Sequence, residues 1–156
     1  MILNNYFDQK TTCCFTGHRI LKKDFNEERL EEIIDNLIKR GYKTFLVGMA
    51  IGFDTTCAKI LLKKREYNID IIACIPCEEQ DKFFKEKQKE EYFEILKKVD
   101  KKIYISKNYT KTCMRERNFF MVDNSSLLVA YYYTHIGGTH ITVSYAERYN
   151  KEIIYI

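Results

Sequence analysis

The chain alternates short, nearly continuous apolar runs with longer stretches in which apolar residues recur at helical spacing. The runs "TCCF" (12–15), "TFLVGM" (44–49), "DIIACI" (70–75), "KIYI" (102–105), "SLLVAYY" (126–132) and "EIIYI" (152–156) predict strands. Apolar residues at successive positions suit strands buried on both faces, as in a parallel sheet. Between them, residues 25–40 carry Leu30, Ile33, Ile34, Leu37 and Ile38 on one face, with Gly41 placed as a C-terminal cap. Residues 54–67 carry a shorter stripe of Cys57, Ala58, Leu61 and Leu62. Residues 81–99 place Tyr92, Ile95, Leu96 and Val99 together, and two further helices are predicted over 114–123 and 139–149. Strand–helix alternation of this kind predicts a single α/β domain spanning 1–156: a doubly wound, mainly parallel sheet with helices on both faces.

In such a sheet, ligands bind beyond the carboxyl ends of the strands, at the point where strand order reverses. The residues that follow each predicted strand are polar or glycine. Thr16-Gly17-His18-Arg19 follow the first, and "GMAIGFD", with Gly48, Met49, Ala50, Gly52 and Asp54, follows the second. Pro76 and Gln80 follow the third, and Gly137-Gly138-Thr139 follow the fifth and lead into a helix. Free N–H groups at a helix N-terminus suit a phosphate, and Arg19 can give the same anion a forked contact. Each residue also has a plain structural role open to it. Gly17 suits a turn, as does the Gly48-x-x-x-Gly52 spacing, and His18 suits a satisfied structural histidine. Thr139 suits a phosphate ligand or a helix N-cap. Asp54 suits an N-cap or the acceptor for a ribose hydroxyl. Arg117 suits a surface salt bridge or, with Asn118, the ligand end of the fourth helix. Met114 and Met121 read as core, and Asp123 as a solvated or capping carboxylate. One of Tyr131, Tyr132 and Tyr133 could stack on a base, with sheet packing as the default.

Composition narrows the picture. Hydrophobic residues make up 46% of the 156-residue chain, enough for a globular core without staples. The net charge of +4 comes from 26 basic and 22 acidic residues, with the lysine runs read as solvated helix edges. An excess this small and this evenly spread points away from nucleic acid as a partner. No apolar run spans a membrane, and "MILNNYFDQK" is too short and polar for a signal peptide, so a cytoplasmic location is expected. The six cysteines read as buried, reduced thiols. Cys74-Ile75-Pro76-Cys77 has C-x-x-C spacing but lacks the second ligand pair that zinc needs, so neither a metal nor a cofactor is expected.

Five stretches together, "CCFTGHR", "GMAIGFD", "IPCEEQ", "CMRERNFFMVDNSSLLVAY" and "GGTHITVSYAERYNKEI", resemble the YpsA family of the SLOG superfamily, over nearly the whole chain. The superfamily also contains the Lonely Guy enzymes and the DNA-processing protein DprA. The resemblance implies a Rossmann-like fold. It also implies binding of a nucleotide or nucleotide-derived molecule by Thr16, Gly17, His18, Arg19, Gly48, Met49, Ala50, Gly52, Asp54, Pro76, Gln80, Arg117, Asn118, Gly137, Gly138, Thr139 and Thr142. Lonely Guy enzymes carry an arginine–lysine pair and a "PGGxGTxxE" loop. Arg117 matches the arginine, but Asn118 stands in place of the lysine and Thr142 in place of the glutamate that helps cleave the glycosidic bond. A threonine cannot act as a carboxylate base near neutral pH.

The expected function is therefore a sensor or sequestering protein for a small molecule related to ADP-ribose or NAD, linear or cyclic, held without turnover. An N-glycosidase or phosphoribohydrolase using a relocated carboxylate (Asp54, Glu78 or Glu79) is one alternative. A protein-interaction regulator of division or stress is another. The expected partner is a free nucleotide-derived molecule, with nucleic acid disfavoured, no membrane, and a homo-oligomer formed through helices.

Overall fold

The computed structural model describes residues 7–156; most of the segment read as too short for a signal peptide lies outside the described residues. Six parallel strands form one sheet: β1 (Thr12–Gly17), β2 (Thr44–Val47), β3 (Asp70–Ile75), β4 (Lys101–Tyr104), β5 (Leu127–Tyr131) and β6 (Glu152–Tyr155). Five helices intervene: α1 (Glu27–Lys39), α2 (Phe53–Leu62), α3 (Glu86–Lys98), α4 (Cys113–Asp123) and α5 (Gly138–Arg148). The spatial order is β4-β3-β2-β1-β5-β6, so the winding reverses between β1 and β5, with Cys13 opposite Leu127 and Gly17 opposite Tyr131.

Alternate side chains on each strand feed two cores. On one face Phe15, Phe45, Val47 and Ile71 pack with Leu30, Ile34 and Leu37 of α1, Cys57 and Leu61 of α2, and Ile95 of α3. On the other, Cys14, Leu46, Ile72, Cys74 and Leu128 pack with Met121 and Val122 of α4 and Val143 and Ala146 of α5. Each fully buried Phe or Leu contributes about 1.5–3 kcal/mol relative to exposure. All six cysteines are free and buried. Burial pushes the Cys77 thiol's pKa up, and the neighbouring Cys113 thiol of α4 adds to the shift.

Two helix boundaries differ from the sequence pattern by more than two residues, each for a local reason, and one lysine is placed differently. The second helix stops at Leu62 and gives way to a 3-10 turn over Arg65–Tyr67, which Asn68 ends in the left-handed region (φ 58). The third helix starts at Glu86 rather than 81, where the Gln88 side chain accepts the Lys85 N–H at 2.8 Å. Lys64 is no solvated edge: its ammonium sits between Glu31 (3.3 Å) and Asp35 (3.0 Å) of α1.

The sheet's carboxyl end is organised by a close approach of two loops. The Phe53 N–H donates to the His18 carbonyl at 3.2 Å. Gly52, at φ 86, presses on the backbone of Arg19, and a Cβ there would lie 2.6 Å from the Arg19 carbonyl carbon. Both the positive φ and the absent side chain are needed. Gly52→Ala is therefore expected to lower unfolding free energy by about 2 kcal/mol or more, as overpacking and backbone strain combine. Urea denaturation checks this; Gly41→Ala is the comparison, because Gly41 shares the positive φ (99) but has open space around it.

Candidate functional site

The winding reversal opens a cleft of about 440 Å³ beyond the ends of β1 and β5. One wall is the β1–α1 loop, contributing Thr16, Gly17, His18, Arg19 and Ile20. The opposite wall is Tyr133, Ile136, Gly137, Gly138 and Thr139, and the floor is Ala50, Asp54, Arg117 and Asn118, with Met114 at its edge.

The α5 wall presents a helix N-terminus with no side-chain cap. Gly137 adopts φ 90, ψ −169, a conformation closed to other residues, and so turns the chain into α5. As the N-cap it has no side chain to occupy the first-turn N–H groups, which leaves them and the positive end of the helix facing the cleft. Thr139 is one residue past the helix start and is no N-cap. Arg19, exposed at the mouth, donates weakly to the Met114 sulfur at 3.7 Å.

The floor holds two buried charges. Arg117 is 4% exposed, so the surface salt bridge does not exist. Its Nη1 donates to the carbonyls of Gly48 and, at 3.3 Å, Cys74, while its Nε donates to Asn118 Oδ1 at 2.7 Å. Gly48 is squeezed between the two charges: a Cβ there would lie 2.8 Å from Asp54 Oδ2 and 2.9 Å from Arg117 Nη1. Asp54 is 6% exposed and lies two residues inside α2, whose N-cap is Gly52. Its Oδ2 accepts the Ala50 N–H at 3.3 Å, and its Oδ1 has no partner. Burial pushes this carboxyl up to about 6, against the opposing pull of Arg117, the Ala50 N–H and Arg19. Leaving a buried acceptor unpaired costs about 1–3 kcal/mol.

His18 lines the cleft and is also structurally satisfied: its Nε2 accepts the Tyr133 N–H at 3.2 Å, and its ring lies 4.1 Å from that of Tyr133. Partial burial and Lys22 lower its pKa, so it brings no positive charge at neutral pH.

Several sequence candidates sit behind the cleft. Met49 is fully buried in a left-handed turn (φ 64). Gln80 braces Gly48 by donating to its carbonyl at 3.1 Å and accepts from Tyr92 Oη at 3.3 Å. Pro76 is buried at the end of β3, and Gly52 packs against Arg19 from outside. Thr142 is 1% exposed, with its hydroxyl turned back to the Gly138 carbonyl at 2.8 Å. Conversely, Ile20 and Ile136 line the mouth although sequence reasoning missed them. Their signal was an apolar residue inside an otherwise polar loop. Met114, read as core, lines the cleft; Asp123 accepts from Tyr145 Oη at 2.7 Å. Among the described residues, no cluster of His, Cys, Asp and Glu could hold a metal, and no helix is long and apolar enough to cross a membrane.

Known proteins share this architecture. The DNA processing protein A of Helicobacter pylori, which binds single-stranded DNA, superposes with a TM-score of 0.71 at 16% identity, over 94% of this chain and 65% of that one. The Streptococcus pneumoniae DNA processing protein A gives 0.69 at 18% identity, over 94% and 50%. The chain thus spans about half to two thirds of these neighbours. The expected partner, a free small molecule with nucleic acid disfavoured, is corrected by this finding, because a neighbour on the same fold binds single-stranded DNA. Net charge does not decide the partner: it averages over the whole surface, whereas a helix N-terminus and one or two arginines at one end of the sheet need no overall excess. In sequence, the SPbeta prophage-derived protein YoqJ of Bacillus subtilis is 30% identical over 138 residues, covering 78% of this chain and 80% of that protein. Residues 14–155 match the YspA SLOG family, YpsA, and the chain belongs to that family.

Proposed function

We propose that the cleft binds one phosphorylated nucleotide unit of a single-stranded nucleic acid and holds it without turnover. The observation that carries this reading is the α5 N-terminus, uncapped by any side chain at Gly137, facing Arg19 across a cleft sized for one nucleotide. The phosphate lies on the N–H groups of Gly138 and Thr139 with Arg19 closing over it. The base rests on the half-buried and exposed groups of the rim, Ile20, Tyr133, Ile136 and Met114. The single-stranded DNA binding of the Helicobacter fold neighbour supports a strand rather than a free nucleotide as the source of that unit. Retention without reaction is supported by Thr142, which is buried and turned away where Lonely Guy enzymes carry their glutamate.

Fluorescence anisotropy with a short 5′-phosphorylated single strand tests this. Wild-type protein is expected to bind, and Arg19→Ala to bind about tenfold more weakly with a salt dependence shallower by about one counterion. Chromatography of the bound strand is expected to show no released base. Unchanged affinity in Arg19→Ala, or base release, contradicts the reading.

The buried carboxylate gives a second expectation. A carboxyl whose folded-state pKa lies above its unfolded value holds its proton more tightly when folded. Its contribution to stability is therefore greatest at low pH and is lost as pH rises. For Asp54 the window runs from 3.8 to about 6 and corresponds to roughly 3 kcal/mol. Asp54→Asn, which cannot ionise, is expected to gain stability relative to wild type as pH rises through that window. Urea denaturation of both proteins at a series of pH values measures it; a constant difference would contradict the assignment.

A further inference from the structure

We infer that Asp54 Oδ1 is the acceptor for a sugar 2′-hydroxyl, so that the strand recognised by the cleft is RNA rather than DNA. This rests on the nucleotide-binding reading above and deepens it. The starting point is an acceptor without a donor. Asp54 is more than nine-tenths buried, lines the cleft, and has Oδ2 satisfied by Ala50 while Oδ1 is not. A carboxylate repels phosphate, so the part of the ligand that reaches it must bring a proton donor.

The distribution of polarity around the cleft says which part that is. The floor is polar: Asp54, Arg117 and Asn118, with Thr16 beside them. A base stacks best on flat apolar surface, and apart from Ala50 the floor offers none. That surface lies at the rim, where Ile20 and Ile136 are 74% and 77% exposed and Tyr133 stands against His18. With the base at the rim and the phosphate on α5, the sugar is the group left to meet the floor. Within a DNA strand the sugar has no donor at all, because its 3′-oxygen is esterified and its 2′-carbon bears only hydrogen. In RNA the 2′-hydroxyl is both donor and acceptor, and it is the group by which proteins distinguish the two. It can donate to Asp54 Oδ1 and satisfy the one orphaned oxygen on the floor.

The test compares three short 5′-phosphorylated single strands of one sequence: RNA, DNA and 2′-O-methyl RNA. Binding to the full-length protein is followed by anisotropy. RNA is expected to bind about tenfold or more tighter than DNA. The 2′-O-methyl strand keeps the 2′-oxygen but loses the proton, and is expected to bind like DNA. In Asp54→Ala, checked by its thermal melt, the RNA preference is expected to vanish. If that variant does not fold, the 2′-O-methyl strand with wild-type protein decides alone. Equal affinity for RNA and DNA overturns the inference and leaves the nucleic-acid reading standing. So does a 2′-O-methyl strand that binds like RNA, or a preference that survives in a folded Asp54→Ala. Failure of all three strands to bind overturns both.

Discussion

The site depends on a guanidinium buried without an ion-pair contact. Burying a charge costs several kcal/mol unless its hydrogen bonds are met. Arg117 meets them with the carbonyls of Gly48 and Cys74, which lie just past β2 and near the end of β3. Strand ends have unpaired carbonyls because the ladder stops there, so a cation reaching over the sheet's edge finds acceptors in place. One side chain from α4 thereby ties that helix to two strand ends. It also sets a positive charge in the floor against which Asp54, from the opposite layer, can be buried. Gly48 exists as a glycine in this arrangement because the two charges leave no room for a Cβ.

From that constraint the division of the cleft follows. The charged floor is preorganised, held from below by Gln80 on the Gly48 carbonyl. The rim is apolar and open, and its groups are free to meet a flat partner. The α5 wall supplies N–H groups at fixed positions because Gly137 alone can make the turn into the helix. Three kinds of surface thus converge at the β1/β5 reversal, where a parallel sheet unavoidably leaves a gap between diverging helices. Asp54 bears the cost of this order in its raised pKa and its orphaned oxygen, a pattern typical of groups that await a ligand.

The fold was legible because each strand is apolar at successive positions and each helix is striped; six strands and five helices follow from that alternation alone. Helix ends were less legible where a tertiary contact decides them: the 3-10 turn at Arg65–Tyr67 and the late start at Glu86 leave the helical period intact in sequence. At the site, glycines and polar residues after the strands marked the end of the sheet where the cleft opens, since a buried strand has no reason to run into "TGHR". What sequence could not separate was which loop residues face the cleft and which support it. Met49, Gln80 and Thr142 carry the same motif signal as Arg19 and Thr139, yet they turn inward, and orientation within a loop has no period to read. Arg117 admitted a surface salt bridge beside its place at the ligand end of the fourth helix, because α4 lacks a clean apolar stripe. Its burial is itself the reason the stripe is broken.

The positions of the acidic residues bear on whether the cleft can do more than hold its ligand. Glycosidic cleavage needs a carboxylate free to act on a water or on the departing group. Thr142 occupies the position of the Lonely Guy glutamate and spends its hydroxyl on the first turn of α5. Glu78 and Glu79, the nearest alternatives in sequence, are exposed beyond β3 and do not line the cleft. That leaves Asp54 as the one carboxylate among the described cleft-lining residues. It lies on the floor, with one oxygen committed to Ala50 and the other without a partner. An oxygen engaged by a sugar hydroxyl is a weaker base toward water. Recognition and cleavage would compete for the same atom, and this geometry favours recognition.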